Sequence, residues 1–307
     1  MTTGKPTLGM KEISLFFFPL LLNVQLMSVS HSIINAALAR LDDYIIALAG
    51  FSVAMVLHLF FASPSYQNHT VTIAMVRGER SRRGTVIFVL LVAIYVSFML
   101  SLVAFTPLGS FLLETVLGVT PAIANEARRV LGILVLLPFF TGFRGFFQGL
   151  VIRARRTSLV SFATGVRIAA LLFFIYFGRS WYSGAGLGAF ALLACIVVET
   201  ALMGLFARHC PQPVTEEPEK GTKEILRFAF PLAYSSCLQQ TIPLLINAII
   251  SRLPDAPLAL ASFGVIRGFL FLLAGPMRNL QQAYLTLVTS PHLRMVGFCI
   301  ASLCASA

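Results

Sequence analysis

The residues of this chain that could do chemistry are a few charged and titratable side chains set inside long apolar stretches. They are four arginines, one glutamate and two histidines: Arg144, Arg167, Arg267, Arg278, Glu199, His31 and His58. A charge inside a bilayer costs free energy, so such groups are kept where they bind a ligand, pair with each other or move protons. Four guanidinium groups against one carboxylate leave an excess of positive charge. If they face a shared cavity, its ligand is an anion, because guanidinium binds phosphate and carboxylate through paired hydrogen bonds.

The depth of each arginine in its apolar stretch separates these candidates. Arg267 and Arg167 lie about ten residues in, near the middle of a membrane-spanning helix, where the side chain cannot reach the aqueous surface. Arg144 lies close enough to an end for its guanidinium to reach water, and Arg278 lies in a polar segment. We expect Arg267, Arg167 and Arg278 to contact substrate. The alternative for each is a bond between helices, for which Arg167 and Glu199 are the candidate pair.

Amide side chains in two of the apolar stretches form a second group of candidates. Gln240 and Asn247 lie in one stretch, and Asn35 lies in an earlier stretch of related sequence. We expect these three amides to line a cleft between two halves of the protein and to bind substrate. The alternative is that they hydrogen-bond neighbouring helices to one another. His31 and His58 could relay protons, since histidine titrates near neutral pH, or could be structural.

Patterns for other kinds of chemistry are absent from the sequence. No nucleophile and base, and no cluster of carboxylates, stand at a spacing that catalysis uses. No glycine-rich phosphate loop occurs, and the five cysteines lack the spacing of metal ligands. We therefore expect no enzymatic activity, no cofactor and no metal. A membrane-embedded enzyme that acts on a lipid is the alternative that these absences disfavour.

The composition indicates how these residues are positioned. Hydrophobic residues make up 57% of the chain and charged residues 11%, and the mean hydropathy is +0.86. Apolar stretches of about 20 residues, the length that crosses a bilayer as a helix, recur along the whole chain. The sequence predicts an all-α polytopic membrane protein, with a kink at Pro64. The expected spans cover roughly residues 13–39, 45–76, 85–105, 121–151, 158–177, 185–207, 225–251 and 257–288, and a ninth begins near Leu293.

The net charge of +11 comes from lysines and arginines in short clusters between the spans. This distribution follows the positive-inside rule and does not indicate a nucleic-acid partner. A cytoplasmic N-terminus places fourteen lysines and arginines inside, and five outside: Arg40, Arg128, Arg129, Arg179 and Arg252. We expect an integral protein of the bacterial inner (plasma) membrane with its N-terminus in the cytoplasm.

The chain contains an internal repeat. Residues 223–288 align without a gap on residues 11–76, and about a third of the aligned positions are identical. The longest matches are Lys-Glu-Ile (11–13 and 223–225), Phe-Pro-Leu (18–20 and 230–232), Ile-Asn-Ala (34–36 and 246–248) and Ala-Leu-Ala (47–49 and 259–261). We predict two six-helix bundles: an N-terminal bundle (1–207), a cytoplasmic linker (208–222) and the start of a C-terminal bundle (223–307). The second bundle is incomplete in this chain, which indicates a fragment or a truncated protein; a full-length chain could be a monomer.

Several segments carry a resemblance to a known superfamily. They are Phe230-Pro231-Leu232-Ala233, Gln240, Pro243, Ile250-Ser251-Arg252, Gly275-Pro276-Met277, Pro138-Phe139, Gly149-Leu150-Val151-Ile152 and Arg155-Arg156-Thr157. Together with the two-bundle pattern they resemble the multidrug and toxin extrusion (MATE) transporters and their lipid-flippase relatives. Within that superfamily the chain looks most like the progressive ankylosis protein and its bacterial homologues. The resemblance covers nearly the whole chain.

The resemblance implies an alternating-access transporter of the efflux or flippase type. Cation-coupled MATE exporters carry an acid inside the first or the seventh to eighth helices, and here no acid is central in the corresponding spans. We therefore expect an anionic substrate, such as a phosphate-bearing metabolite, a pyrophosphate-like anion, citrate or a lipid-linked precursor. The alternatives are a Na+- or H+-coupled multidrug cation antiporter and a truncated remnant that transports nothing.

Overall fold

The computed structural model describes residues 10–211 and 219–270, with side chains from residue 15 onward, and all regular structure within these ranges is helical. The helices are α1 Met10–Leu38, α2 Tyr44–Ala62, α3 Asn68–Met75, α4 Glu79–Phe105, α5 Pro107–Ser110, α6 Pro121–Ile133, α7 Leu137–Arg153, α8 Thr157–Gly178, α9 Ala185–His209, α10 Thr222–Ile250 and α11 Ala256–Leu270. Two 3-10 turns (Ser63–Gln67 and Leu134–Leu136) and one π-helical turn (Phe111–Val116) join helices.

Six segments of the described chain are long and apolar enough to cross a membrane. They are Leu15–Leu38, Tyr44–Met75, Glu79–Phe105, Pro121–Arg153, Thr157–Gly178 and Ala185–His209. On α4 the exposed apolar side chains Ile87, Leu91, Ile94 and Phe98 recur every three or four residues, which gives the helix a continuous outward face for lipid. The six spans confirm the predicted all-α membrane fold of the first bundle. α10 carries more polar residues and is not among the six.

Proline interrupts two of these spans. The predicted kink at Pro64 is a 3-10 turn that divides the second span into α2 and α3. The sequence predicts a continuous span from Pro121, but a 3-10 turn at Leu134–Leu136 separates α6 from α7. Pro138, in the first turn of α7, has no N–H to donate to the carbonyl four residues earlier, so the helix tightens before it.

Two helix N-termini are capped by carboxylates from distant segments. Glu126 Oε2 on α6 accepts the backbone N–H of Ala185 at the start of α9, at 2.9 Å. Glu219 Oε2, just before α10, accepts the backbone N–H groups of Arg80 and Ser81 in α4 at 2.8 and 3.2 Å. A carboxylate at this position satisfies unpaired N–H groups and interacts favourably with the helix dipole. The caps therefore fix α9 against α6, and the start of the second repeat against α4.

α11, in the second repeat, shares a buried core with the first bundle. Leu260 of α11 belongs to the same apolar cluster as Leu57 of α2, Leu100 of α4, Leu131 of α6 and Leu192 of α9, and each of these side chains is at most 3% exposed. The two repeats thus meet through a continuous apolar contact.

The equivalent helices α1 and α10 differ in what covers them. Ile34 on α1 is fully buried, and Ala37 is 8% exposed, because α1 packs on α8 and α9. Their repeat counterparts on α10, Ile246 and Ile249, are 36% and 66% exposed. Within the described residues, this face of α10 has no equivalent of α8 and α9 against it.

α7 approaches α3 closely at a glycine, which gives a test of this packing. A Cβ on Gly149 would lie 2.6 Å from Thr72 Cβ and 2.9 Å from the His69 carbonyl oxygen, whereas a Cβ on Gly165 of α8 would meet nothing within 4 Å. We expect Gly149→Ala to lower the melting temperature by several degrees, because overpacking costs about 1–3 kcal/mol. Gly165→Ala should leave it unchanged or slightly raised. Thermal unfolding in detergent measures both, and equal melting temperatures would contradict the close crossing.

Candidate functional site

A buried carboxylate binds two arginines inside the first bundle. Glu199 on α9 accepts hydrogen bonds from Arg144 Nη1 on α7 (3.2 Å) and Arg167 Nη1 on α8 (3.3 Å), both at Oε2. The side chains of these three residues are at most 8% exposed. Two positive charges and one negative charge leave this triad with a net charge of +1. A buried ion group of this kind is tolerated only when its remaining donors and acceptors are also bonded.

α1 supplies part of the additional hydrogen bonding of the triad, while Arg144 Nε and Arg167 Nε have no hydrogen-bond partner among the described residues. Arg167 Nη2 donates to Ser30 Oγ at 2.7 Å, and Arg144 Nη1 lies 3.7 Å from Met27 Sδ. Thr164 Oγ1 lies 2.9 Å from Glu199 Oε1 and 2.5 Å from Asn23 Oδ1. Asn23, Met27 and Ser30 stand three and four residues apart, so they share one face of α1. The triad therefore joins α1, α7, α8 and α9 into one unit.

The structure gives these arginines partners that the sequence predicted only in part. The Arg167 to Glu199 pair, offered as the alternative to substrate contact, is present. The expectation that Arg144 reaches water at the end of its span is wrong, because its side chain is only 8% exposed and pairs with the same carboxylate. Glu199 lies at a depth that both guanidinium groups can reach, and the pairing costs less than exposing either charge to lipid.

A small cavity lies between the two repeats, at the junction of α1, α2 and α11. Its volume is about 40 Å³, room for about two or three water molecules. Four polar side chains line it, namely His31, Asn35, Ser52 and Arg267, and the remainder of the lining is Phe51, Met55, Val56, Leu59, Gly264 and Gly268. Among the described residues, the lining contains a guanidinium and no carboxylate.

Two predicted substrate residues meet at this cavity. Arg267 Nη2 on α11 donates to Gln240 Oε1 on α10 at 2.8 Å. Asn35 lies across the cavity on α1, close to the glycine face of α11: a Cβ on Gly268 would be 3.8 Å from Asn35 Nδ2. Arg267 and Asn35 therefore share the cavity wall, and Gln240 lies next to it through its bond to Arg267. That these three residues bind substrate stays a prediction. Ser52 Oγ is buried without a hydrogen-bond partner among the described residues, so the cavity offers an unsatisfied hydroxyl.

The other predicted site residues lie elsewhere. Arg167 is in the triad and does not line the cavity. Asn247 is 1% exposed and its Nδ2 donates to the Pro243 carbonyl oxygen at 2.9 Å on its own helix. Arg278 lies outside the described residues. His58 is fully buried, and neither ring nitrogen has a hydrogen-bond partner within the described part of the chain.

A larger groove of about 440 Å³ lies on the surface between α4 and α6 and also contains arginines. Arg128 Nε and Nη2 donate to the carbonyl oxygens of Ala104 and Thr106, and Arg129 pairs with Glu126 at 3.1 Å. These guanidinium groups are already bonded to the protein, and the groove opens outward. The cavity between the repeats is the better candidate site.

Sequence reasoning missed Ser52 and the glycines of the cavity. Serine and glycine carry no charge and occur throughout membrane helices, so neither stands out in an apolar span. The signal that could have found them is the repeat itself, because Ser52 and Gly264 are 212 positions apart, as Lys11 and Lys223 are.

Comparison with known proteins gives a family match and a fold match. A family model described as "Progressive ankylosis protein (ANKH)" matches residues 9–203. This range contains the triad, together with His31, Asn35 and Ser52 of the cavity. The match agrees with the resemblance found in the sequence.

Solved structures of MATE transporters have the same fold. One is a structure of the MATE multidrug transporter DinF-BH; it is 17% identical, with a TM-score of 0.72, over 99% of this chain and 73% of that chain. Another, "Crystal structure of eukaryotic MATE transporter AtDTX14", is 14% identical, with a TM-score of 0.66, over 95% of this chain and 69% of that chain. These matches confirm the predicted MATE-like fold of an integral membrane protein.

The triad makes a prediction about stability. Glu199→Gln leaves two guanidinium groups buried without a counter-ion, so we expect a loss of about 3–5 kcal/mol in the free energy of unfolding. Arg83→Gln is the matched control: it breaks the Arg83 to Glu79 pair, whose side chains are more than 70% exposed, and should change stability by less than about 1 kcal/mol. Denaturant unfolding in detergent micelles measures both variants. A Glu199→Gln protein as stable as Arg83→Gln would show that the triad does not hold the bundle together.

Proposed function

Because the chain belongs to the progressive ankylosis protein family, we propose that it is an alternating-access transporter that moves an anionic substrate across the membrane. The substrate class is a phosphate-bearing or carboxylate metabolite, or a lipid-linked precursor with such a group. Two helix bundles rock about the cavity between the repeats, which faces each side of the membrane in turn. Transport requires no group transfer, so the protein acts as a carrier and not as an enzyme.

The observation that carries this proposal is the composition of the cavity wall. Arg267 supplies a guanidinium, while Asn35, Ser52 and His31 supply further polar groups around it. Guanidinium and neutral donors are the groups that bind phosphate and carboxylate oxygens. Since the described part of the lining holds no carboxylate, a bound cation would have no negative counter-charge there and would be repelled by Arg267.

The surrounding charges favour an anion as well. The triad contributes a further net charge of +1, and His31 lies within electrostatic range of both Arg167 and Arg267. In a low-dielectric interior such charges act over a longer distance than they do in water. An anion that enters the cavity therefore gains from Arg167 as well as from Arg267, without touching Arg167.

A Na+- or H+-coupled cation antiporter is the second candidate, and the MATE multidrug transporter fold favours it. Such a carrier needs an acid that can exchange its cation or proton for the substrate. Within the described residues the one buried carboxylate is Glu199, and two arginines and a threonine already bind it. The anion carrier is therefore the better proposal.

Replacement of Arg267 tests the substrate class. We expect Arg267→Gln to reduce uptake of labelled citrate or pyrophosphate into proteoliposomes by at least about tenfold, the effect of one lost charge-assisted hydrogen bond. Arg267→Lys should retain part of the activity, since it keeps the charge and loses the paired geometry. Arg179→Gln removes the same charge from an exposed turn and should transport like the parent protein. Export of a cationic dye that is unaffected by Arg267→Gln, with no anion movement, would contradict the proposal.

We also propose that the basic end of the bundle, where α4 begins, faces the cytoplasm. Arg83 at this end and Trp181 at the opposite end are both highly exposed. In a background without the native cysteines, a membrane-impermeant thiol reagent applied to intact cells should label Trp181→Cys and leave Arg83→Cys unlabelled. The reverse labelling pattern would invert the proposed topology.

A further inference from the structure

The cavity lies where the two repeats face each other through equivalent residues. α2 contributes Ser52, Met55 and Val56 to its wall, and α11 contributes Gly264, Arg267 and Gly268. Adding 212 to each of the three α2 positions gives the three α11 positions. The pseudo-two-fold axis that relates the repeats therefore passes between α2 and α11 at this cavity.

The contact at the axis is between the equivalent residues themselves. A Cβ built on Gly264 would lie 2.8 Å from both Cβ and Oγ of Ser52. A Cβ atom at position 264 would therefore clash with the Ser52 side chain, so α11 can approach α2 this closely only because residue 264 is glycine. One turn along α11, a Cβ on Gly268 would have its nearest neighbours at 3.8 Å, which is ordinary contact. The two glycines of this Gly-x-x-x-Gly pair thus differ: one is required for the close approach and the other is not.

The closed contact leaves too little room for the substrates considered above. A cavity of about 40 Å³ holds about two or three water molecules, whereas citrate, pyrophosphate or a lipid-linked head group is several times larger. Arg267 is in the wall but out of reach of such a ligand until α2 and α11 separate. The contact between Ser52 and Gly264 is thus in a position to control access to Arg267.

We propose that the Ser52 to Gly264 contact on the pseudo-two-fold axis is the gate of the substrate cavity. In the closed state Ser52 fills the space that the missing Cβ of Gly264 leaves, and the cavity beside Arg267 is too small for the substrate. In the open state the two helices move apart at this crossing and expose Arg267 with Asn35. The role of the gate rests on the proposed transport function, but its opening can be measured without any substrate.

The test compares two alanine variants one turn apart on α11. Met55 lines the cavity and is 8% exposed, so Met55→Cys, in full-length protein whose native cysteines are replaced by alanine, reports on opening through its reaction with a water-soluble thiol reagent. In substrate-free proteoliposomes we expect Gly264→Ala to raise the labelling rate about tenfold, since overpacking disfavours the closed state. Gly268→Ala should leave the labelling rate unchanged. Equal rates in the two variants would overturn the gate.

An exchange of the two equivalent residues gives a stricter test. Ser52→Gly combined with Gly264→Ser places the same side chain on the other side of the axis and restores the volume of the contact. We expect this double variant to return the labelling rate of Met55→Cys to the parent value. A rate that stays at the Gly264→Ala level would show that the effect does not arise from the contact.

The outcomes separate the gate from the transport proposal. If Gly264→Ala alone does not give a monodisperse protein, Ser52→Gly alone is compared with Ser52→Gly combined with Gly264→Ala. Ser52→Gly leaves the contact unfilled and should raise the labelling rate of Met55→Cys, and the added Gly264→Ala should fill the contact again and lower that rate. Equal labelling rates in these two variants would contradict a gate made by this pair. If Gly264→Ala and Gly268→Ala have the same labelling rate, the gate is overturned, and the transport proposal is still tested separately by anion uptake in Arg267→Gln. If the labelling rates differ but the protein takes up no anion, the proposed substrate class is overturned and the gate is not.

Discussion

The burial of Glu199 between two arginines is the constraint on which the first bundle depends. A lone carboxylate or guanidinium in the hydrocarbon region of a bilayer is costly, so each of the three groups needs the others within bonding distance. They come from α7, α8 and α9, and the bond of Arg167 to Ser30 and the close contact of Thr164 with Asn23 add α1. Four helices must therefore stay in register for any of these charges to be tolerated.

α1 connects the triad to the cavity. Its Asn23, Met27 and Ser30 face the triad, while His31 and Asn35, also one turn apart, face α2 and α11. A shift of α1 toward the cavity would break its bonds to the triad. The two charged regions are thus linked through one helix.

The sequence predicts where the helices lie along the chain better than it predicts which neighbours each helix face contacts. Long apolar runs define the spans, and Pro64 defines the kink, because chain length and a missing N–H act locally. In a membrane helix, however, the lipid-facing and protein-facing sides are both apolar, so periodicity does not reveal which neighbour a residue meets. Arg144 illustrates the consequence: its depth is readable from the sequence, but the presence of Glu199 on a neighbouring helix at the same depth is not. The chemistry of Arg267 and Gln240 makes both of them candidates in the sequence, while their bond to each other is visible only in the fold.

The equivalent helices α2 and α11 share one architecture but contribute different residues to the cavity. Where the copies are identical, as at Phe51 and Phe263, the residue serves the shared architecture. Where they differ at the axis, the difference carries the chemistry: Ser52 faces a glycine, and Met55 has Arg267 as its counterpart. Arginines at both 55 and 267 would repel each other across the cavity in a low-dielectric interior. Serines at both 52 and 264 would keep the two helices apart. Closure around a single guanidinium on the axis therefore requires that the two copies have diverged at these positions.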